Sequence, residues 1–239
     1  MSSSSRRKAM RRRLLFAGAG VAVVSAAVAG ALVVAPSFAD KPAPVAKSVE
    51  QYYEKNKDIT AAAKPVMFAA VGDSITEANS PDFSKFRVGN ASWVYYASRK
   101  GFEFAGGWSN GGANTASMVA NAKPVKADVL VIIAGTNDVG NRPFAESAAN
   151  VEAIVRKVGV KRVVISAIPP YNANPQLPVE YNKQMKAFAA DKGWTWVDAM
   201  APVRGMDNMW KSGLTSDGKH PTVEGAQLIG EELSRAALG

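Results

Sequence analysis

From Pro65 onward the sequence alternates short apolar runs, each stopped by Gly, Asn or Asp, with segments whose apolar residues recur every three or four positions. Runs of this length suit strands, several of them buried on both faces, and the intervening spacing is that of helices packed on a sheet. The expected strands are Val66 to Val71, Phe102 to Ala105, Val129 to Ala134, Arg162 to Ala167 and Thr195 to Val197. The expected helices are Ala91 to Lys100, Phe144 to Val158, Val179 to Lys192 and Val223 to Leu238. Such alternation implies parallel strands joined by right-handed crossovers. The fold class is therefore α/β, a doubly wound three-layer α/β/α domain over residues 65–239. Its five-stranded parallel sheet has the expected order 2-1-3-4-5. In that order the winding reverses between strands 1 and 3, and ligands bind beyond the carboxyl ends of the strands at the reversal.

Ahead of this domain the texture differs. The formal charge of the whole chain is +9, which invites a nucleic-acid partner. Six of those charges, however, are Arg6, Arg7, Lys8, Arg11, Arg12 and Arg13, and the chain from Asp40 onward carries only +3. A basic cluster directly ahead of an apolar run speaks for membrane targeting rather than for phosphate contacts. The run from Leu14 to Ala35 is 22 residues without a charge, and Ser37 and Ala39 are small residues suited to a signal peptidase. Residues 1–39 are read as a signal peptide cleaved after Ala39 or, because the run is long enough to span a bilayer, as a membrane anchor through residues 14–35. The string Arg11-Arg12-Arg13-Leu14-Leu15 also resembles a twin-arginine export signal, and equally an ordinary basic segment ahead of a signal peptide's apolar core. Residues 40–64, rich in Ala, Lys and Pro, are expected to form a linker or stalk with a short helix near Val49 to Ile59. The expected location is secreted or extracytoplasmic. With no cysteine and a single histidine, neither a disulfide nor a transition-metal centre is expected, and no cofactor.

The chemistry-bearing residues fall where the topology directs attention. Strand 1 runs into Gly72-Asp73-Ser74-Ile75-Thr76, strand 2 into Gly111-Gly112-Ala113-Asn114, and strand 3 into Gly135-Thr136-Asn137-Asp138. The last strand is followed, after a long loop, by Asp217-Gly218-Lys219-His220-Pro221 at the start of the final helix. A serine hydroxyl becomes a nucleophile when an imidazole accepts its proton, and the imidazole in turn needs a carboxylate to fix its tautomer. Ser74, His220 and Asp217 supply those groups, and the three-residue spacing of Asp217 and His220 lets one turn hold both. The Ser74 N–H, the Gly112 N–H and the Asn137 amide can converge on an oxyanion.

These four segments resemble the sequence blocks of the SGNH, or GDSL, hydrolase family. The resemblance implies a flavodoxin-like fold and a serine esterase. It makes Ser74 the nucleophile and first oxyanion donor, with Gly112 and Asn137 completing the hole and Asp217 and His220 completing the triad. Two positions depart from the pattern: Ile75 stands where the family often has Leu, and Ala78 where it often has Gly.

Other readings compete. Gly107-Trp108-Ser109-Asn110-Gly111 spells the G-x-S-x-G nucleophile elbow after a strand, which makes Ser109 a rival to Ser74. Gly213 to Lys219 nearly spells a phosphate-binding loop, but His220 stands where Ser or Thr should hold magnesium. Asp73 and Asp138 are expected to hold their turns through backbone hydrogen bonds. Trp108, Met209 and Trp210 are candidates to face substrate. The expected function is an exported serine hydrolase cleaving carboxylic, small-acyl esters through an acyl-enzyme. Its substrate would be an acylated polysaccharide, a cell-wall ester or a lipid. The membrane is touched only by the N-terminal segment, and no nucleic acid is bound. The alternatives are an acyltransferase using the same site and a catalytically silent glycan-binding module.

Overall fold

The apolar runs form one parallel sheet. The structure, a computed structural model, describes residues 64–98 and 101–239, so the readings of a signal or anchor, of a stalk and of its short helix lie outside the described residues. The strands are β1 (Val66–Gly72), β2 (Phe102–Ser109), β3 (Val129–Ile133), β4 (Arg162–Ser166) and β5 (Thr195–Val197). All adjacent pairs are parallel, and the order is β2-β1-β3-β4-β5. The helices are α1 (Ser74–Glu77), α2 (Trp93–Ala97), α3 (Thr115–Asn121), α4 (Phe144–Val158), α5 (Gln176–Asp191) and α6 (Val223–Leu238).

Alternate residues of each strand feed two cores. Phe68, Ala70, Val131, Ile133 and Val164 pack with Trp93 and Val94 of α2 and with Ile229, Leu233 and Ala237 of α6. Ala69, Val71, Leu130, Ile132 and Ile165 pack with Met118, Val151, Ile154 and Met185 of α3, α4 and α5. Both faces of the sheet are thereby covered, as a parallel sheet requires. Each fully buried Leu, Ile, Val, Phe or Met side chain contributes on the order of 1.5–3 kcal/mol.

Three differences from the sequence expectations have local causes. Strand β2 runs four residues beyond Ala105 because the register shifts between Phe68 and Ala69: Phe104 pairs with Phe68, but Gly106 pairs with Ala69. The bulge skips Ala105 and lets the pairing continue through Gly106 and Gly107. At Gly107 the φ is +146° and a Cβ would lie 1.8 Å from the Ala70 carbonyl oxygen, so only glycine permits the pairing there. Helix α3 had no apolar stripe to announce it. It starts because Asn114 caps it, its side chain accepting from the Ser117 N–H at 2.9 Å. Helix α5 begins at Gln176, ahead of the expected Val179, since Pro178 falls in the first turn, where a missing N–H costs nothing. Helix α2 is described only as Trp93–Ala97, and Arg99 and Lys100 lie outside the described residues.

Candidate active site

Strand β1 ends at Gly72, and the chain turns at once into α1 with Asp73 as its cap. The Asp73 carboxylate accepts from the Ile75 N–H at 2.9 Å, which sets Ser74 as the first residue of the helix. An N–H at that position has no partner within its own helix and projects beyond the sheet. The turn closes at Ala78 with φ 45° and ψ −128°. That is backbone glycine adopts freely and alanine only under strain, at the position where the resembled family often has Gly.

On the other side of the crevice, Asp217 organises a turn within its own neighbourhood. Its Oδ1 accepts from the Lys219 N–H at 2.9 Å and from the His220 N–H at 2.7 Å, and its Oδ2 lies 2.6 Å from His220 Nδ1. A carboxylate can only accept, so Nδ1 carries the proton and Nε2 is the acceptor. That Nε2 lies 2.9 Å from Ser74 Oγ across 146 residues of sequence. Burial pushes the Asp217 carboxyl up, but the donors from the His220 backbone, its ring and Lys219 outweigh it and hold the group well below the usual carboxylate range. The Asp–His pair is open, with side-chain exposures of 50% and 40%.

The third arm comes from the ends of β2 and β3. The Gly111 N–H donates to Glu77 Oε2 at 2.5 Å, so it is engaged with α1. The next residue, Gly112, takes φ +73°, which re-aims the chain toward Ala113. Asn137 Nδ2 donates one hydrogen to the Ala113 carbonyl at 2.9 Å, and its second remains for another acceptor. Asn137 Oδ1 accepts from Lys219 Nζ at 3.4 Å, which fixes the same orientation of the amide. Behind it, the buried Asp138 accepts from the Thr115 N–H at 2.9 Å and from its hydroxyl at 2.6 Å. Asp138 thus ties the β3 loop to the start of α3 rather than holding only its own turn. Gly135 makes this loop possible, since at φ +122° a Cβ would lie 2.1 Å from the Tyr181 ring.

Asp73 is buried and faces both arms. Its Oδ2 and the nearby Thr136 hydroxyl have no hydrogen-bond partner among the described residues. Burial pushes the Asp73 carboxyl up to about 6, against the lowering effects of the Ile75 N–H and the charge of His220.

The structure brings Ser74, Asp217, His220 and Asn137 together, while the remaining candidates divide. Ser109 is the last residue of β2, paired with Gly72 and only 8% exposed, and its hydroxyl has no partner among the described residues. No helix starts directly after it, and both nitrogens of the single histidine are taken by Asp217 and Ser74. The elbow reading is therefore overturned: this segment is a strand end. Trp210 is also corrected. It is buried, its indole N–H donates to the Pro170 carbonyl at 2.8 Å, and it packs in the α6-side core rather than facing substrate. Trp108 is half-buried and lines a cleft of about 240 Å3 with Glu77, Ser80 and Phe83. Met209 is half-buried and does not line that cleft. Glu77 escaped notice in the sequence, although it lies one turn after Ser74 on the same short helix. Lys219 lies between Asp217 and His220 in sequence, and nothing in that spacing announces its contact with Asn137.

The model of the GDSL-like lipase/acylhydrolase family matches residues 70–228. No curated protein matches the chain. Among solved structures, a GDSL-like lipase from Bacteroides thetaiotaomicron is similar with a TM-score of 0.53 at 21% identity, covering 77% of this chain and 96% of that one. A member of the lipolytic protein G-D-S-L family from Veillonella parvula is similar with a TM-score of 0.55 at 18% identity, covering 72% and 96%. A catalytic mutant of an acetylxylan esterase from Geobacillus stearothermophilus gives 0.54 at 18% identity, covering 72% and 93%. At these identities the likeness is one of fold.

Proposed function

Because the chain belongs to the GDSL-like lipase/acylhydrolase family and is an ester hydrolase, we propose that it cleaves small-acyl carboxylic esters outside the cytoplasm through an acyl-enzyme at Ser74. The observation that carries this reading is the continuous path from Asp217 Oδ2 to His220 Nδ1 at 2.6 Å and from His220 Nε2 to Ser74 Oγ at 2.9 Å. His220 Nε2 takes the Ser74 proton as Oγ bonds to the acyl carbon, and the imidazolium is stabilised by Asp217. The carbonyl oxygen becomes an oxyanion that receives the Ser74 N–H, the Gly112 N–H and the second hydrogen of Asn137 Nδ2. Collapse breaks the bond from carbon to the alcohol oxygen, which leaves with the proton from Nε2. Water then gives its proton to Nε2, attacks the acyl carbon and releases the acid, and the proton returns to Oγ. The exposure of His220 and Asp217 favours water as the acceptor.

The basic residues ahead of Leu14 to Ala35, with Ser37 and Ala39 beyond, support export by a cleaved signal or retention by an anchor. The test is turnover of p-nitrophenyl acetate and longer p-nitrophenyl esters by wild type, Ser74→Ala and Ser109→Ala. The expected result is acetate preferred, activity abolished by Ser74→Ala and changed less than ~2-fold by Ser109→Ala, since the Ser109 hydroxyl has no hydrogen bond among the described residues to lose. Activity that survives Ser74→Ala contradicts the proposal.

A further inference from the structure

Two clefts lie beyond the carboxyl ends of β3, β4 and β5, and they share the residues Ile168 and Pro178. The first, about 150 Å3, includes Asn137 and Lys219 and so begins at the oxyanion side of the site. The second, about 340 Å3, continues between α5 and the loop after β5 and includes Lys183, Lys186, Trp196 and Arg204. Sharing these two lining residues, they are read as one groove along the edge of the sheet where α/β domains bind ligands. Its floor is held rigid, because Asn182 clamps Ile168 with both amide atoms, accepting from its N–H at 2.8 Å and donating to its carbonyl at 3.0 Å.

The charge of this groove is one-sided. Four cations line it, Lys183, Lys186, Arg204 and Lys219, against a single carboxylate, Asp198. Arg204 is bound by both oxygens of Asp198. Lys183 and Lys186, one turn apart on α5 and exposed, have no carboxylate partner among the described residues. The opposite flank of the site differs: the cleft at Trp108 is lined by Glu77 and Asp82 and by no basic side chain, and the two nearby cations, Lys85 and Arg87, are paired with Asp82 at 3.0 Å and 3.4 Å. A neutral substrate would find no reason in these charges to prefer one side, whereas a polyanion is drawn to the unpaired lysines of the α5 side.

We propose that the groove binds the alcohol part of the ester as a polyanionic glycan chain, carboxylate- or phosphate-bearing, which runs from Ser74 past Lys219 to Lys183 and Lys186. This rests on the esterase reading above and adds the substrate class. The partly buried Trp196 and the amide of Asn208 line the same groove and suit sugar rings and hydroxyls between the charges.

The test uses the full chain and the double variant Lys183→Glu/Lys186→Glu, with Lys161→Glu as a control at the far end of β4. Binding of unesterified polygalacturonate and of inorganic polyphosphate is measured at low salt and in ~0.5 M NaCl, where screening shortens to a few ångströms. Wild type and Lys161→Glu should bind at least one of the two, the double variant at least ~10-fold more weakly, and the difference should close in high salt. Binding of polygalacturonate alone assigns a carboxylated chain, and of polyphosphate alone a phosphate-bearing one. In parallel, the double variant should hydrolyse p-nitrophenyl acetate and acetylated xylan within ~2-fold of wild type but acetylated polygalacturonate at least ~10-fold less efficiently. No binding by wild type, or equal loss in Lys161→Glu, overturns the groove. Inert p-nitrophenyl acetate in wild type overturns the esterase reading instead, so the two failures are distinct.

Discussion

The turn at Asp217–His220 and the arm at Gly106–Thr115 both feed the site, and they are held by opposite means. The turn is closed from inside: four bonds to one carboxylate, all from residues two or three positions away, set the imidazole. The arm is closed from outside, by Glu77 across 34 residues, by Asn137 across 24 and by Asp138 across 23. A local device stands or falls with one side chain. A distributed one degrades by steps as its ties are cut one at a time.

The largest effect should come from the local device. His220→Ala is expected to lower kcat by about 10⁴-fold or more, and Asp217→Asn by a similar factor because the tautomer is lost, as in other triads. Steady-state kinetics on p-nitrophenyl acetate check both; a loss below ~10-fold for either would break the comparison on that side. Asn137→Ala removes a donor from the distributed arm and should cost ~10²- to 10³-fold in kcat. A rise in KM alone would take Asn137 out of the oxyanion hole.

Asp73 lies between the two regions and gives a pH signature. The free carboxyl ionises at 3.8 and the buried one at about 6. Between those values the folded protein holds a proton that the unfolded chain has released, so this group's contribution to stability declines as pH rises from 4 to 6. Asp73→Asn removes that decline. The variant should gain on wild type by up to about 3 kcal/mol above pH 6 and by nothing below pH 4, read from urea unfolding at both. A gain independent of pH would contradict the burial argument. The smallest effect should be at Glu77. Glu77→Ala cuts one tie to Gly111 and should lower kcat by about 10-fold, with Glu77→Gln restoring most of it. A loss as large as that of His220→Ala would mean the arm is no more distributed than the turn.

The same contrast explains what the sequence allowed to be read. Val129 to Ile133 is apolar at every position and declares a buried strand, and α4 and α6 carry their stripes openly, so the sheet order follows from local pattern and crossover handedness. The spacing of Asp217 and His220 predicts one turn, and one turn holds them. The β2 arm was opaque because its determinants are distant. A bulge opposite Phe68 carries the strand past Ala105, and nothing within Gly106 to Asn114 announces that Glu77 and Asn137 will grip it. Trp210 misled for a similar reason, since its partner, the Pro170 carbonyl, is 40 residues away.

The central claim is that the nucleophile belongs to Ser74, where the two arms meet, and not to Ser109 inside the strand. Reaction with a serine-directed fluorophosphonate, followed by peptide mapping, tests it most directly. The account predicts a single adduct on Ser74 that is absent from His220→Ala treated in parallel. An adduct on Ser109, or no adduct on the active wild-type protein, would contradict it.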